Sequence, residues 1–191
     1  MARRKKQVLS GIVLLLILTA VASGALFFAE YLLTNKDLQE QIASFGYLGV
    51  IVIAAIAGLN VILPIPAVAF TPVFTAAGLS LGGIILALTI GTLIADFIGY
   101  VFGRVSRSTM TEKYPKLIAR LEHIHHNHRT WLVPIIFLYA AFMPVPNEAL
   151  IIPLALLGVS WRTMVLPLFI GNLVNQSIYA YGMYSMFRLL F

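Results

Sequence analysis

The sequence has no cysteine and very little charge. Without cysteine, its 191 residues can form no disulfide framework and offer no thiol chemistry. Charged residues make up only 10% of the chain, against roughly 25% in an average soluble domain. Hydrophobic residues make up 60%, and no charged residue occurs between Glu40 and Asp96. So much apolar surface excludes both an ordinary soluble domain and a disordered chain.

Signatures of catalysis are missing as well. The sequence contains no Gly-x-Ser-x-Gly elbow, no His-Glu-x-x-His zinc motif and no phosphate-binding P-loop. We therefore expect neither an enzyme nor a bound cofactor. The formal net charge of +6 does not indicate nucleic-acid binding. The basic residues lie in short hydrophilic breaks between apolar runs, where membrane topology explains them better.

One histidine-rich run resembles a metal site. It extends from Glu122 to His128, and it pairs His123 with His126 and His125 with His128 at a spacing of three residues. The run lies in a charged segment, where solvated histidines or a surface that faces lipid headgroups explain it. We therefore predict no metal site.

A basic segment and a long apolar run open the sequence. Residues 3–6 are all Arg or Lys, and the apolar stretch Val8–Ala29 would rise about 33 Å as a helix, enough to cross a membrane. A cleaved signal peptide is the alternative, since Ala20-Val21-Ala22 resembles a cleavage site. Because the apolar run continues to Phe28, we predict a transmembrane anchor and an external segment over residues 1–41.

The next apolar stretch is interrupted by two prolines. Pro64 and Pro66 disfavour helix and separate the arms Tyr47–Ile62 and Ala67–Leu79. Each arm has about 13–16 residues, or roughly 20–24 Å, which is too short to cross a membrane comfortably. No polar turn separates the arms, so the pattern favours a re-entrant hairpin with its tip buried in protein. Two full spans are the alternative, and charge counting does not distinguish them.

A second broken stretch resembles the first. Pro144 and Pro146 separate Trp131–Met143 from Asn147–Gly158. One full span follows each predicted hairpin, at Leu81–Gly103 and at about 163–187. The hydrophilic segment 105–130 lies between them and contains an apolar pattern typical of an amphipathic helix on the membrane surface. Its apolar positions are Tyr114, Leu117, Ile118, Leu121 and Ile124.

The two halves match at an offset of 80 residues. The unit is a Pro-x-Pro hairpin followed by one span, and a single span between the hairpins makes them enter from opposite faces. The fold class is therefore an all-α polytopic membrane protein with two inverted repeats, 42–104 and 131–191, and an N-terminal transmembrane helix. The matched positions are Pro64 and Pro144, Pro66 and Pro146, Gly78 and Gly158, Ser80 and Ser160, and Gly91 and Gly171.

The distribution of basic residues predicts the orientation. The N-terminus, the 104–130 segment and Arg162 hold eleven of the thirteen Lys and Arg residues, against Lys36 and Arg188 on the other side. By the positive-inside rule these eleven are cytoplasmic. We expect a multi-pass plasma-membrane protein with a cytoplasmic N-terminus, which could form a homo-oligomer.

Two carboxylates lie in apolar sequence, at Asp96 and Glu148. An ionisable group at membrane depth costs several kcal/mol unless it is paired, so each is a candidate for transport or coupling. Glu148 follows Pro146-Asn147 at the tip of a broken helix, where free backbone N–H groups favour negative charge. The structural alternatives are an ion pair of Asp96 with Arg104 and a helix-capping role for Glu148.

Polar side chains form rows on both spans. Asp96, Tyr100 and Arg104 recur every four residues, and such a row could line a polar path or hold a phosphate. A parallel stripe of small residues would let another helix approach closely. The stripe consists of Gly91, Ala95, Gly99 and Gly103. The predicted cavity-lining residues are Asn60, Tyr100, Asn147, Asn172, Asn175 and Gln176, with inter-helix hydrogen bonding as the alternative.

These residues resemble a known family. Asp96-x-x-Gly99-Tyr100-x-x-Gly103-Arg104 is similar to a signature of the DedA superfamily, also called the VTT-domain or SNARE-associated family. Asn60 with Pro64-Ile65-Pro66 resembles its first re-entrant motif, and Phe142-Met143-Pro144 resembles its second. The resemblance covers about residues 45–187. It implies lipid translocation, either of polyprenyl phosphates in prokaryotes or of phospholipids in eukaryotic relatives.

The chain departs from the family pattern at both hairpins. Val68 stands where a glutamate usually follows the first Pro-Ile-Pro, and the arginines that usually flank the second hairpin are missing near Ala141 and Asn147. Glu148 places a glutamate on the second hairpin instead. The resemblance is therefore to a divergent prokaryotic branch.

The favoured function is translocation of an anionic lipid between leaflets, which could be proton-coupled. Arg104 would attract the phosphate, and Asp96 and Glu148 would titrate or gate. The expected partners are membrane lipids and protons. A proton- or sodium-coupled exporter of small solutes and a membrane scaffold without transport are the alternatives.

Overall fold

The computed structural model describes residues 2–59, 66–113, 131–143 and 145–190, without the side chains of 2–15, 17 and 18. Several residues singled out in the sequence lie outside these ranges. They are Asn60, Pro64, Pro144, the amphipathic pattern that starts at Tyr114 and the histidine-rich run.

The described chain is helical throughout, without β-strands, as the sequence predicts. One 3-10 turn, Ala67–Phe70, precedes the third of seven α-helices. The helices are α1 (Ala2–Thr34), α2 (Lys36–Gly58), α3 (Thr71–Ala76), α4 (Leu81–Lys113), α5 (Leu132–Phe142), α6 (Glu148–Leu156) and α7 (Trp161–Leu190). We call α2 together with the 3-10 turn and α3 the first helical pair, and α5 with α6 the second.

The polar segment after the first apolar run is helical. α1 continues to Thr34, and α2 starts directly afterwards, with the Asn35 side chain accepting a hydrogen bond from the Leu38 N–H at 3.2 Å. This is an N-cap, which satisfies a donor of the first turn. α2 bends sharply at Gly46, where φ is +52°, so the arm of the first pair proper starts at Tyr47 as predicted.

α4 is longer than the predicted span. It passes Arg104 without interruption and extends to Lys113, the last described residue before residue 131. The predicted span was bounded by the end of the apolar run, which does not determine where a helix ends. No glycine or proline stands between Gly103 and Pro115 to end this helix. The basic residues at 104 and 107 therefore belong to the same rigid helix as Asp96.

Two helices share the predicted small-residue stripe on α4. A Cβ on Gly91 would collide with the Ile51 carbonyl of α2, and a Cβ on Gly103 would lie 2.7 Å from the Ile152 carbonyl of α6. The stripe of close contacts is thus confirmed. Its first half receives α2 and its second half receives α6.

The contacts along α4 define the direction of both neighbours. Tyr47 at the start of the α2 arm bonds Ser80, and Gly58 at its end lies against Ala95, so α2 runs parallel to α4. α6 also runs parallel to α4, from Glu148 at Gly99 onward. α2 therefore ends, and α6 begins, beside the middle of α4.

Backbone hydrogen bonds recur at the offset of 80 residues. Gly78 N–H donates to Thr75 and Leu79 N–H to Phe74, and the same two bonds join Gly158 to Ala155 and Val159 to Leu154. Both glycines have positive φ, +89° and +84°, which an L-residue with a side chain adopts only with strain. The two halves therefore turn into their long helices in the same way.

The outer faces of the helices are strongly apolar. By length and composition, α2 and α4 are long and apolar enough to cross a membrane, and α2 reaches this length only by continuing through Gly46. Large exposed apolar side chains include Leu48 at 70%, Ile56 at 69% and Leu166 at 64%. Such surfaces suit lipid rather than water.

The glycine stripe generates a test of the packing. Replacing a mid-helix glycine by alanine gains roughly 1 kcal/mol of helix propensity. At Gly182 of α7 a Cβ would meet open space, so Gly182→Ala should raise the melting temperature in detergent. At Gly103 the new Cβ would press on the α6 backbone. Gly103→Ala should therefore lower the melting temperature, with a loss of about 1–3 kcal/mol in the free energy of unfolding. Equal stabilisation by both variants would contradict the contact.

Candidate functional site

A buried polar cluster lies where three elements meet. Asp96 of α4 is 1% exposed and Asn172 of α7 is 3% exposed. Asn172 Nδ2 donates to Asp96 Oδ2 at 2.7 Å, and Asn147 Nδ2 lies 3.1 Å and 3.2 Å from the two carboxylate oxygens. Asn147 Nδ2 is also 2.9 Å from Asn172 Oδ1. The three side chains form a closed hydrogen-bonded triad.

Asn147 reaches this triad because of where α6 begins. It directly follows Pro146 and precedes the first residue of α6, but its side chain does not cap that helix. The amide instead crosses to the carboxylate on α4. The triad thus fastens the start of α6 to both long helices, α4 and α7.

The carboxylate of Asp96 has amides rather than cations as partners. Among the described residues its hydrogen-bond donors are Asn147 and Asn172, and the charged group that acts on it is a second carboxylate, Glu148. An ionised carboxylate without a counter-charge is costly at membrane depth. The arrangement therefore suits a carboxylate that takes up a proton or a small cation.

Glu148 lies one helical turn along α4 from Asp96. Its side chain covers Gly99, where a Cβ would be 3.2 Å from Glu148 Cγ. Glu148 is half-buried and is the first residue of α6, a position at which the helix dipole favours negative charge. The two carboxylates predicted from the sequence are therefore neighbours in space.

A second contact joins the long helices one turn below the triad. Gln176 Nε2 of α7 donates to Thr92 Oγ1 of α4 at 3.1 Å. Gln176 Oε1 is buried and has no hydrogen-bond partner in the part of the chain that the structure describes. Gln176 was predicted from the sequence as a cavity-lining residue, whereas Thr92 was not. The internal repeat could have indicated Thr92, because Thr92 lies 80 residues before Asn172 and so occupies the matching position in the first half.

The other predicted polar residue of α7 has a different role. Asn175 Nδ2 donates to the Ala141 carbonyl, at 3.1 Å, and so satisfies the end of α5. On the other side of the break, the Pro146 carbonyl accepts a hydrogen bond from Tyr139 Oη at 3.3 Å. Pro66 and Pro146 themselves are exposed. These contacts satisfy helix ends rather than line a cavity.

The predicted row of acid, phenol and guanidinium does not form one site. The Tyr100 ring packs against Trp161 at 5.4 Å and Phe97 at 6.4 Å between centroids. Arg104 is exposed and lies two helical turns from Asp96, about 12 Å along the axis. The alternative of an Asp96–Arg104 ion pair also fails, because Asp96 is bonded to the two asparagines.

Arg104 instead opens onto a surface groove of about 520 Å³ along the last turns of α4. The groove also presents hydroxyl groups and one acid. Its lining residues are Arg104, Arg107, Ser108, Thr111 and Glu112. The Arg107 guanidinium lies over Gly158, at the end of α6, where a helix favours positive charge.

Comparison with known proteins identifies the family. A family model described as the VTT domain matches residues 65–185, which is more than half of the chain. Comparison with curated proteins and with solved structures gives no significant match. The matched region includes Asp96, Glu148, all of α4 and most of α7. The chain therefore belongs to the VTT-domain family, the DedA or SNARE-associated family of membrane proteins.

Proposed function

We propose that this protein moves an anionic lipid between the leaflets of the plasma membrane. The observation that carries the proposal is the buried Asp96 triad, which lies where α2 ends and α6 begins beside the middle of α4. Transporters commonly build their sites from broken helices near the bilayer midplane. The substrate class is a lipid with a phosphate headgroup, such as a polyprenyl phosphate or a phospholipid.

Re-entrant geometry is supported by the direction of the helices. α2 runs along α4 and ends at Gly58, beside Ala95, about 21 Å from the start of α4 at Leu81. The chain then returns through α3 to the turn at Gly78, where α4 starts. The first helical pair therefore enters and leaves at the same end of α4.

The second helical pair enters from the opposite end. α5 runs parallel to α7, because Phe137 and Ala140 lie against Gly171 and Ala141 against Asn175. α7 is antiparallel to α4, since Asn172 meets Asp96 and Gln176 meets Thr92. α5 thus approaches the triad from the end of α4 that carries Arg107, and α6 returns to that end. The two pairs are related as inverted repeats would be.

This geometry predicts protection of both helical breaks from water. The chain lacks cysteine, so single cysteines at Ile65 and Val145 can be labelled without background. Both should resist a membrane-impermeant thiol reagent in intact cells and vesicles, because they would lie near the midplane. Cysteines at Lys36 and Lys116 are the matched positions in hydrophilic segments and should react. Rapid labelling of 65 and 145 from opposite faces would mean ordinary loops between full spans.

The groove at the end of α4 lies at the depth of lipid headgroups. Half of a hydrocarbon core is about 15 Å, and Arg104 stands about 12 Å beyond Asp96 along the helix. Among the residues that the structure describes, the groove is lined by one face of α4, which would suit a lipid with a long acyl or prenyl chain. This feature favours lipid over the small solute of the alternative exporter, which needs an enclosed aqueous chamber.

The test of the proposal is leaflet-resolved translocation of a fluorescent anionic lipid in proteoliposomes. Arg104→Ala should slow it about tenfold or more, because a charge-assisted contact to phosphate is lost. Asp96→Asn should also slow it, because the triad loses its acceptor charge. Both proteins should still insert and purify as the native protein does.

The matched control is Arg188→Ala, which removes an exposed arginine from the end of α7. It should translocate lipid at the native rate. If Arg104→Ala translocated lipid at the native rate, Arg104 would not bind the headgroup. If Arg188→Ala were as slow as Arg104→Ala, the loss would reflect the net charge of the protein rather than a contact of Arg104. Transport of a water-soluble solute without lipid movement would favour the exporter, and no transport at all would favour the scaffold.

Glu148 is the proposed coupling residue. It is the carboxylate on the second helical pair, and it lies beside Asp96 at a depth where ionisation is costly. Glu148→Gln mimics the protonated form permanently, so it should abolish translocation driven by a pH gradient and spare downhill exchange. Both activities are measured in the same liposomes, with and without the gradient. If Glu148→Gln still translocated lipid in response to a pH gradient at the native rate, Glu148 would have no role in coupling and would only stabilise the start of α6.

A further inference from the structure

The two contacts between α4 and α7 are related by the same offset as the two halves of the chain. Adding 80 residues to Asp96 gives Gln176, and adding 80 to Thr92 gives Asn172. The Asp96–Asn172 contact and the Gln176–Thr92 contact are therefore counterparts of each other. A rotation that exchanged the two halves would exchange these contacts as well.

The helix starts that follow the two breaks are also counterparts. Ala149 N–H donates to the Pro146 carbonyl at 3.1 Å, and Ala69 N–H donates to the Pro66 carbonyl at 3.0 Å. Residue 67 therefore occupies in the first pair the position that Asn147 occupies in the second. Here the two halves differ, because residue 67 is alanine.

The difference leaves one polar atom without a partner. In the second half the Asn147 amide donates to Asp96. In the first half Ala67 has no donor, and Gln176 Oε1 is the buried atom that lacks one. Ala67 packs in the same cluster as Leu173 and Ala180, which flank Gln176 on α7 by about one turn on either side. Since Leu173, Gln176 and Ala180 share one face of α7, the missing donor would stand against the face of α7 that carries the unmatched acceptor.

We infer that Asn147 is a latch that positions the second helical pair, and that the first pair lacks its counterpart because residue 67 is alanine. Opening of the second pair must break hydrogen bonds to a buried carboxylate. Opening of the first pair separates mainly apolar side chains, and lipid tails replace such contacts at little cost. The first pair is therefore the one that moves away from the long helices most readily. This inference rests on the re-entrant geometry of the proposed function.

A second latch can be installed to test the inference. Ala67→Asn supplies an amide donor opposite Gln176 Oε1, and it should raise the melting temperature of the purified protein by about 2 °C. Gln176→Leu removes the acceptor. In the Gln176→Leu background Ala67→Asn should give no rise, because its amide then has no partner. The four proteins of this cycle isolate the one contact.

Thiol labelling gives an independent readout. On the cysteine-free chain, a cysteine at Phe70 reports the first pair and a cysteine at the fully buried Ile151 of α6 reports the second. Ala67→Asn should slow labelling at position 70 severalfold and leave position 151 unchanged. Asn147→Ala should accelerate labelling at position 151 severalfold and leave position 70 unchanged, which tests the latch even if Ala67→Asn folds poorly.

The inference would be overturned by either of two results. One is an equal effect of Ala67→Asn on melting with and without Gln176 as acceptor. The other is labelling at position 151 that Asn147→Ala does not change. Neither readout involves lipid movement, so a failure of lipid translocation would leave the latch standing and a failure of the latch would leave translocation standing.

Discussion

The structure depends on one buried carboxylate. Asp96 stands in the middle of an apolar helix and is almost completely buried, so its oxygens must find donors inside the protein. Asn172 and Asn147 supply them from α7 and from the start of α6. One residue therefore joins α4 both to α7 and to the start of the second helical pair. Without it, Asn147 would keep the Asn172 amide oxygen as an acceptor but would lose both carboxylate oxygens.

Helices that end within an apolar region need partners for their last backbone groups. Here the polar side chains of α5 and α7 provide them, with Asn175 bonding the Ala141 carbonyl and Tyr139 the Pro146 carbonyl. Small residues complete the arrangement, because Gly91 and Gly103 allow α2 and α6 to reach the same face of α4. The breaks are therefore built into the fold, and the polar groups they expose are already satisfied on the α5 side.

Much of this organisation was predictable from the sequence. Prolines, the small-residue stripe and the apolar runs predict the helices and their breaks, because these features act locally. The identities of Asp96, Asn147 and Asn172 as polar residues in apolar surroundings were equally visible. Their association was not, since Asn147 and Asp96 are 51 residues apart and the choice of partner depends on how three elements pack. For the same reason Tyr100 was assigned to a polar row, although its ring packs against Trp161.

The asymmetry between the halves connects the fold to its proposed function. The second half carries Asn147 and Glu148 at the start of α6, whereas the first half carries Ala67 and Val68 at the matching positions and contributes Asp96 from α4. In the proposed mechanism, the coupling carboxylate Glu148 lies on the second helical pair, and the larger movement belongs to the first helical pair.

The most direct measurement of the central claim compares two lipids with the native protein. A polyprenyl phosphate and a neutral glycolipid of similar chain length are placed in one leaflet of proteoliposomes, and their appearance in the other leaflet is followed. The account predicts rapid movement of the phosphate lipid and none of the neutral one above the rate of protein-free liposomes. Equal rates for both lipids, or no protein-dependent movement of the phosphate lipid, would contradict it.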